Sequence, residues 1–329
     1  MFKKIFPFGA GLPPDSSFKI FIVSEGYVAG KRADFYNACN LFINNFFNAY
    51  PFSGIDRSLT SISIYAHFEA SANAGPSMNA PAAPGRTLFD TSMNSGAELL
   101  SLNKTKINDK LNSLSLKYDG ADIQASTLLS TKGPVSGGAG ALTVILLPPT
   151  AGNGGEYEHE PQAGDYYFVA TTQNNRWYQV IIRGVAKAIG LGDEFDLPGN
   201  NFLEPVGENI ILFAHGYPNL VYFDSVPLMP PSNNFKWKNK LSVVQQLAPL
   251  EIVRHPGNAA TIDRTLDTSF TSPDLIKLYE GGGGYRTKVY RSSRDCILRR
   301  KIGDISLPLR KQEIQLCPIC SEFIYHAFK

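Results

Sequence analysis

Arg183 and Lys187, one helical turn apart, share a face of a strongly apolar segment, and that spacing is the strongest chemical signal in the chain. The segment is WYQVIIRGVAKAIGLGDEF (177–195), in which Trp177, Ile181, Ile182, Val185 and Ile189 occupy most of the helical circumference and predict burial. Gly190 and Gly192 close it, and Asp193 and Glu194 stand in the turn beyond. Two cations at i,i+4 repel each other, and burying them uncompensated is costly. Guanidinium and ammonium groups donate hydrogen bonds and offer no lone pair while charged, so Arg183 cannot ligate a metal and Lys187 could do so only after losing its proton. The chemistry open to the pair is anion recognition, or neutralisation by a carboxylate, for which Asp193 is the expected counter-anion.

Other reactive side chains are sparse. Of the four cysteines, Cys39, Cys296, Cys317 and Cys320, the last two form a C-x-x-C pair in LCPIC. That pair is half of a zinc site, and only tertiary folding could complete it with Cys296 and with Cys39 or a histidine. No metal is expected here: Cys317 and Cys320 are the candidates should one bind, inert buried thiols are the expectation, and a Cys296–Cys317 disulfide stays open. The histidines, His67, His159, His215, His255 and His326, include no i,i+4 pair. His159, among Glu156, Glu158 and Glu160 in a glycine-rich loop, reads as a solvated acidic tip. Met229 before Pro230 reads as a buried loop methionine at least as readily as a methionine turn. Gly281–Gly284 could cradle a phosphate, but the run neither follows an expected strand nor carries a lysine–hydroxyl pattern. No Ser/His/Asp or Cys/His order proposes a nucleophile.

Around these residues the elements fall into an alternating order. FKIFIVSEGY (18–27) reads as a buried strand, Lys31 to Tyr50 as a helix with Phe35, Cys39, Phe42, Phe46 and Ala49 on one face, and 58–71 as a second strand. Strand, helix, strand at this spacing is a βαβ unit and favours an α/β sheet. Residues 72–86 read as a Pro/Ala/Gly loop, Ala97 to Tyr118 as a helix, 141–149 and 166–172 as strands, and Arg176 to Leu191 as a helix capped by Asn174 or Asn175. Beyond Asp193, recurrent prolines break the pattern into short elements. The expected organisation is a loose tail over 1–17 and one domain over 18–329.

Aligned on its glycines, 183–193 resembles the long zinc motif H-E-x-x-H-x-x-G-x-x-[HD]. Arg183 falls on the first histidine, Gly184 on the glutamate, Lys187 on the second histidine and Asp193 on the third ligand. LGDEF resembles the L-A-D-E-Y that follows the zinc helix in the bacterial IgA-peptidase family of metallopeptidases. FIVSEGYVAGKRADFY (21–36), FKWKNKL (235–241), and LYEGGGGYRTKVYRSSRDCILR (278–299) with LCPIC (316–320) resemble further segments of that family, in the same order. The resemblance implies a three-layer αβα sandwich with a mixed, mostly parallel twisted sheet, a metzincin-like scaffold. It also implies that Tyr285 lines the former cleft with Arg183, Lys187, Asp193 and Glu194. The departures matter as much: with no motif histidine and no glutamate base, neither metal nor activated water is provided for.

The expected function is therefore that of a catalytically inactive metallopeptidase homologue that recognises a peptide or protein partner or plays a structural part. The alternatives are a hydrolase with unanticipated ligands, which would need zinc, and a small-anion binder. A net charge of +2 gives no nucleic-acid footprint, and the basic stretch 286–300 reads as a solvated face. The opening residues lack a secretory h-region and no apolar run reaches the ~20 residues of a membrane span, so the sequence as written reads as cytoplasmic unless another export route serves it.

Overall fold

The computed structural model describes residues 1–6, 17–57, 60–78, 85–94, 99–129, 140–148, 167–172, 177–192, 217–222, 236–237, 252–253, 278–282, 285–292, 296, 298 and 316–328. Its contacts divide the chain into two compact units. One comprises Met1–Ile189 with Lys301–Ile305 and Ala327–Lys329; the other comprises Gly190–Arg300 and Ser306–His326.

The first unit opens with β1 (Lys3–Lys4), β2 (Phe18–Ser24), α1 (Arg32–Asn48) and β3 (Ile62–His67). Next come β4 (Ser77–Met78), β5 (Ser92–Asn94), β6 (Leu99–Ser101), α2 (Lys104–Ser113), β7 (Ser115–Tyr118), β8 (Ala121–Gln124) and α3 (Ala125–Leu129). It closes with β9 (Gly140–Leu147), β10 (Tyr167–Thr171) and α4 (Trp177–Ala188). A five-stranded sheet runs β1-β3-β2-β9-β10. β2 pairs parallel with β3 on one side and β9 on the other, β10 adds parallel to β9, and β1 adds antiparallel to β3. The sheet is thus mixed: its parallel pairs are those the alternation of strands and helices leads one to expect, and β1 supplies the antiparallel one.

Every residue of β2 is buried, which is why FKIFIVS reads as a nearly continuous apolar run rather than an alternating one. Phe21, Val23, Tyr65, Ile145 and Leu147 gather with Ile107 and Leu111 of α2 and Ala125 of α3 in one hydrophobic cluster. α1 buries Phe35, Cys39, Phe42 and Phe46, the expected stripe, together with Ile43 and Phe47. Each such phenylalanine is worth about 2 kcal/mol of burial. The helix stops at Asn48 because Pro51 disfavours helical geometry at Tyr50, and Ala49 is already extended.

Two expectations change. The helix expected over 97–118 contracts to Lys104–Ser113, since Leu99–Ser101 pairs with β5 and Ser115–Tyr118 with β8. The missed signal is the period of two in Ser113-Leu114-Ser115-Leu116, which buries Leu114 and Leu116 in alternation. Residues 1–6 do not trail: Lys3 and Lys4 pair with Ala66 and Tyr65, and Phe2 and Phe6 are buried.

In the second unit β11 (Leu220–Tyr222), β12 (Ile252–Val253), β13 (Leu278–Gly282) and β14 (Tyr285–Arg291) form a sheet in the order β11-β14-β13-β12. α5 (Pro318–Phe328) follows, its last two residues belonging to the first unit. β13 ends in Gly281 and Gly282 and pairs antiparallel with β14, Gly282 opposite Tyr285. The first two glycines of the run, Gly281 and Gly282, thus belong to a strand, whereas no strand was expected before the run. Among the described residues no helix is long and apolar enough to cross a membrane.

Candidate functional site

β10 leads into α4, which packs on β9 and β10 and against α1. This packing buries Tyr178, Ile181, Ile182, Val185, Ala186 and Ile189, as the apolar circumference of the segment requires. Arg183 is buried with them, only 2% exposed, and Gly184 is buried beside it. Arg183 therefore does not point to solvent, and it has interactions of its own. Lys187 is half-buried in the last turn of α4, where a cation complements the partial negative charge of the helix C-terminus.

Past α4 the chain turns at Gly190, whose φ of +99° lies in the left-handed region that glycine adopts without strain. Asn219, fully buried, then clamps Gly192: the Gly192 N–H donates to Asn219 Oδ1 at 2.8 Å, and Asn219 Nδ2 donates to the Gly192 carbonyl at 2.8 Å. A Cβ on Gly192 would stand 2.7 Å from Leu220 Cδ1 and from Tyr217 Cγ, so this position accepts no side chain without rearrangement. Asp193 and Glu194 lie outside the described residues, as do the expected caps Asn174 and Asn175, Met229, His159, His215 and His255. Tyr285 opens β14 in the second unit, whereas Arg183 and Lys187 belong to the first.

The second unit contains the other candidate. Cys296, Cys317 and Cys320 bring their sulfurs within 4.8 Å of one another, all three buried. Cys317 immediately precedes α5 and Cys320 lies in its first turn. The Cys317 N–H donates to Cys296 Sγ at 3.4 Å, the Cys320 N–H donates to Cys317 Sγ at 3.5 Å, and Ser292 Oγ lies 3.5 Å from Cys317 Sγ. The meeting of Cys296 with the C-x-x-C pair, which sequence spacing left to tertiary accident, is the arrangement adopted. All four cysteines are thiols rather than the Cys296–Cys317 disulfide left open above. Burial pushes the Cys317 thiol up, but hydrogen bonds with Cys296, Cys320 and Ser292 outweigh it and hold the group well below the ordinary thiol value. Burial and the neighbouring sulfurs raise Cys320. On α1, burial likewise raises Cys39 and keeps it an inert thiol.

Sequence reasoning passed over one further buried group. Glu25 follows the central strand β2, at the carboxyl end where the sheet order branches to β3 and β9, a usual place for ligands in open α/β sheets. Here the chain itself fills that place. The Phe89 N–H donates to Glu25 Oε2 at 3.2 Å, and the Thr91 hydroxyl donates to Glu25 Oε1. Alongside, Gly26, at a φ of +69°, donates its N–H to Ser71 Oγ at 2.9 Å and accepts from the Gly75 N–H at 2.9 Å. Nothing in the sequence near Glu25 marks it, because its partners come from a distant loop.

No model of a known protein family matches the chain, and no curated protein does. The likeness to metallopeptidases therefore rests on the order of the motifs alone.

Proposed function

We propose that this chain is a metallopeptidase-type scaffold of the IgA-peptidase kind that has given up hydrolysis and acts through its former substrate groove as a recognition or structural module. The observation that carries this reading is the burial of Arg183 on α4, at the position where the resembling motif needs its first histidine. A charged guanidinium in that place repels a divalent cation instead of binding it. Gly184 supplies no carboxylate to take a proton from water, so neither half of metal-assisted hydrolysis is present on the helix.

The strand order of the first unit and the passage from β10 into α4 support a metzincin-like, three-layer αβα arrangement. Ile20, Ile22, Val144 and Leu146 alternate with the residues that pack under α2 and α3, and they are buried outside that cluster. A second helical layer of α1 and α4 accounts for their burial.

The full-length chain, incubated with fluorogenic peptides and a denatured protein substrate with and without added Zn2+, is expected to show no cleavage above buffer. Chelator-sensitive cleavage by the purified protein would overturn the proposal in favour of an active hydrolase. Lys187, half-buried one turn beyond Arg183, gives the small-anion reading its one support. A phosphate- or citrate-dependent rise in Tm that disappears in Lys187→Met would favour that reading over peptide recognition.

A further inference from the structure

The clustered thiols of the second unit belong to no part of the reading above, and their geometry carries an assignment of its own. We propose that Cys296, Cys317 and Cys320 hold a structural Zn2+ ion at the N-terminus of α5.

The donor set is the first argument. Thiolate sulfur is a soft ligand that selects zinc over the oxygen-seeking Mg2+ and Ca2+. A tetrahedral zinc with Zn–S bonds of about 2.3 Å places its sulfurs about 3.8 Å apart. The three sulfurs already lie within 4.8 Å of one another, so small side-chain rotations suffice to bring them onto one ion. An ordinary iron–sulfur cluster asks for four cysteines, and the remaining one, Cys39, stands on α1 in the other unit.

The surroundings are the second argument. Three thiolates around Zn2+ leave one net negative charge, and burial demands that it be met by donors. The amides of Cys317 and Cys320 already donate to Cys296 Sγ and Cys317 Sγ, and they lie at the start of α5, where the helix presents its partial positive charge. Such N–H···S bonds are the outer-shell contacts that orient and stabilise metal-bound thiolates. Pro318, as the first residue of α5, fixes the turn between the two cysteines without forfeiting a helical hydrogen bond. The buried Ser292 hydroxyl stands 3.5 Å from Cys317 Sγ, where it can donate to the bound thiolate.

Burial decides the role. At 0%, 2% and 0% exposure the three cysteines are closed to substrate, so the ion is structural. It ties the segment leaving β14, which carries Ser292 and Cys296, to the start of α5. Binding displaces up to three thiol protons to solvent and involves no change of oxidation state.

The test is metal analysis of the untagged full-length protein, purified under thiol reductant and dialysed after loading with Zn2+. About one zinc per chain is expected, falling below about a tenth in each of Cys296→Ser, Cys317→Ser and Cys320→Ser. Should those variants fail to fold, Co2+ replaces zinc in the unaltered protein, where a near-ultraviolet thiolate-to-cobalt charge-transfer band of three-sulfur intensity is expected. Substoichiometric zinc after loading, a cobalt complex without that band, copper in place of zinc, or a disulfide joining two of the three cysteines in zinc-free protein would each overturn the assignment. None of these results bears on α4, whose reading is decided by peptide cleavage.

Discussion

At the scale of single residues, Arg183 has the largest energetic stake. A charged side chain that is almost wholly buried must be matched by its surroundings, and truncating it leaves both a cavity and unmatched groups. Arg183→Ala is expected to lower unfolding stability by about 3 kcal/mol, read from denaturant melts; a loss below about 0.5 kcal/mol, typical of a surface position, would contradict its burial. Glu25 makes a pH-dependent prediction. Burial raises its carboxyl above the ordinary value by more than the bonds from Thr87, Thr91 and Phe89 lower it. The folded chain then keeps a proton that the unfolded chain has released, so stability falls as pH climbs from the ordinary carboxyl range through the raised value. For this single group the slope is bounded by about 1.4 kcal/mol per pH unit. Glu25→Gln removes this dependence, so its stability relative to the unaltered protein should improve as pH rises above the ordinary carboxyl value of about 4; a constant difference would contradict the raised carboxyl. Arg183 was legible in the sequence because helical periodicity alone implies its burial. The meeting of Cys296 with Cys317 and Cys320 was not, since local spacing does not encode it.

Among the elements, those with one dominant pattern were easiest to read. β2 is uniformly apolar, α1 carries an aromatic stripe ended by Pro51, and α4 is apolar nearly all round; each lies within a few residues of its expected place. α2 was overextended because its termini are set by competing local chemistry. Asn103 accepts from the Lys106 N–H at 3.2 Å and starts the helix there, while leucines alternating with serines draw the next residues into β7. Asn103→Ala should therefore cost about 1 kcal/mol of stability in thermal or denaturant unfolding. No change would mean that tertiary packing, rather than the cap, fixes the start of α2. The short strands of the second unit, β11 to β14, were not resolved in advance because prolines and glycines interrupt any period long enough to recognise.

For the whole molecule, the parallel pairs of the sheet follow from the alternation of strands and helices, and the contacts divide the chain into two units. The boundary falls between Ile189 and Gly190, inside a segment that reads as the continuous end of a helix, with no linker composition to mark it. The two candidate sites separate along the same line: the cationic helix α4 in the first unit, proposed to stand where a metal-binding helix would, and the thiol cluster in the second, proposed to hold zinc. The most direct test is the zinc content of the unaltered protein, of the Cys317→Ser/Cys320→Ser double variant and of Lys187→Met, purified alike. The account predicts about one zinc per chain in the unaltered protein and in Lys187→Met, and almost none in the double variant. Zinc that survives loss of the two cysteines but leaves with Lys187→Met would place the metal on α4 and contradict both the cysteine assignment and the proposal that this helix no longer binds metal.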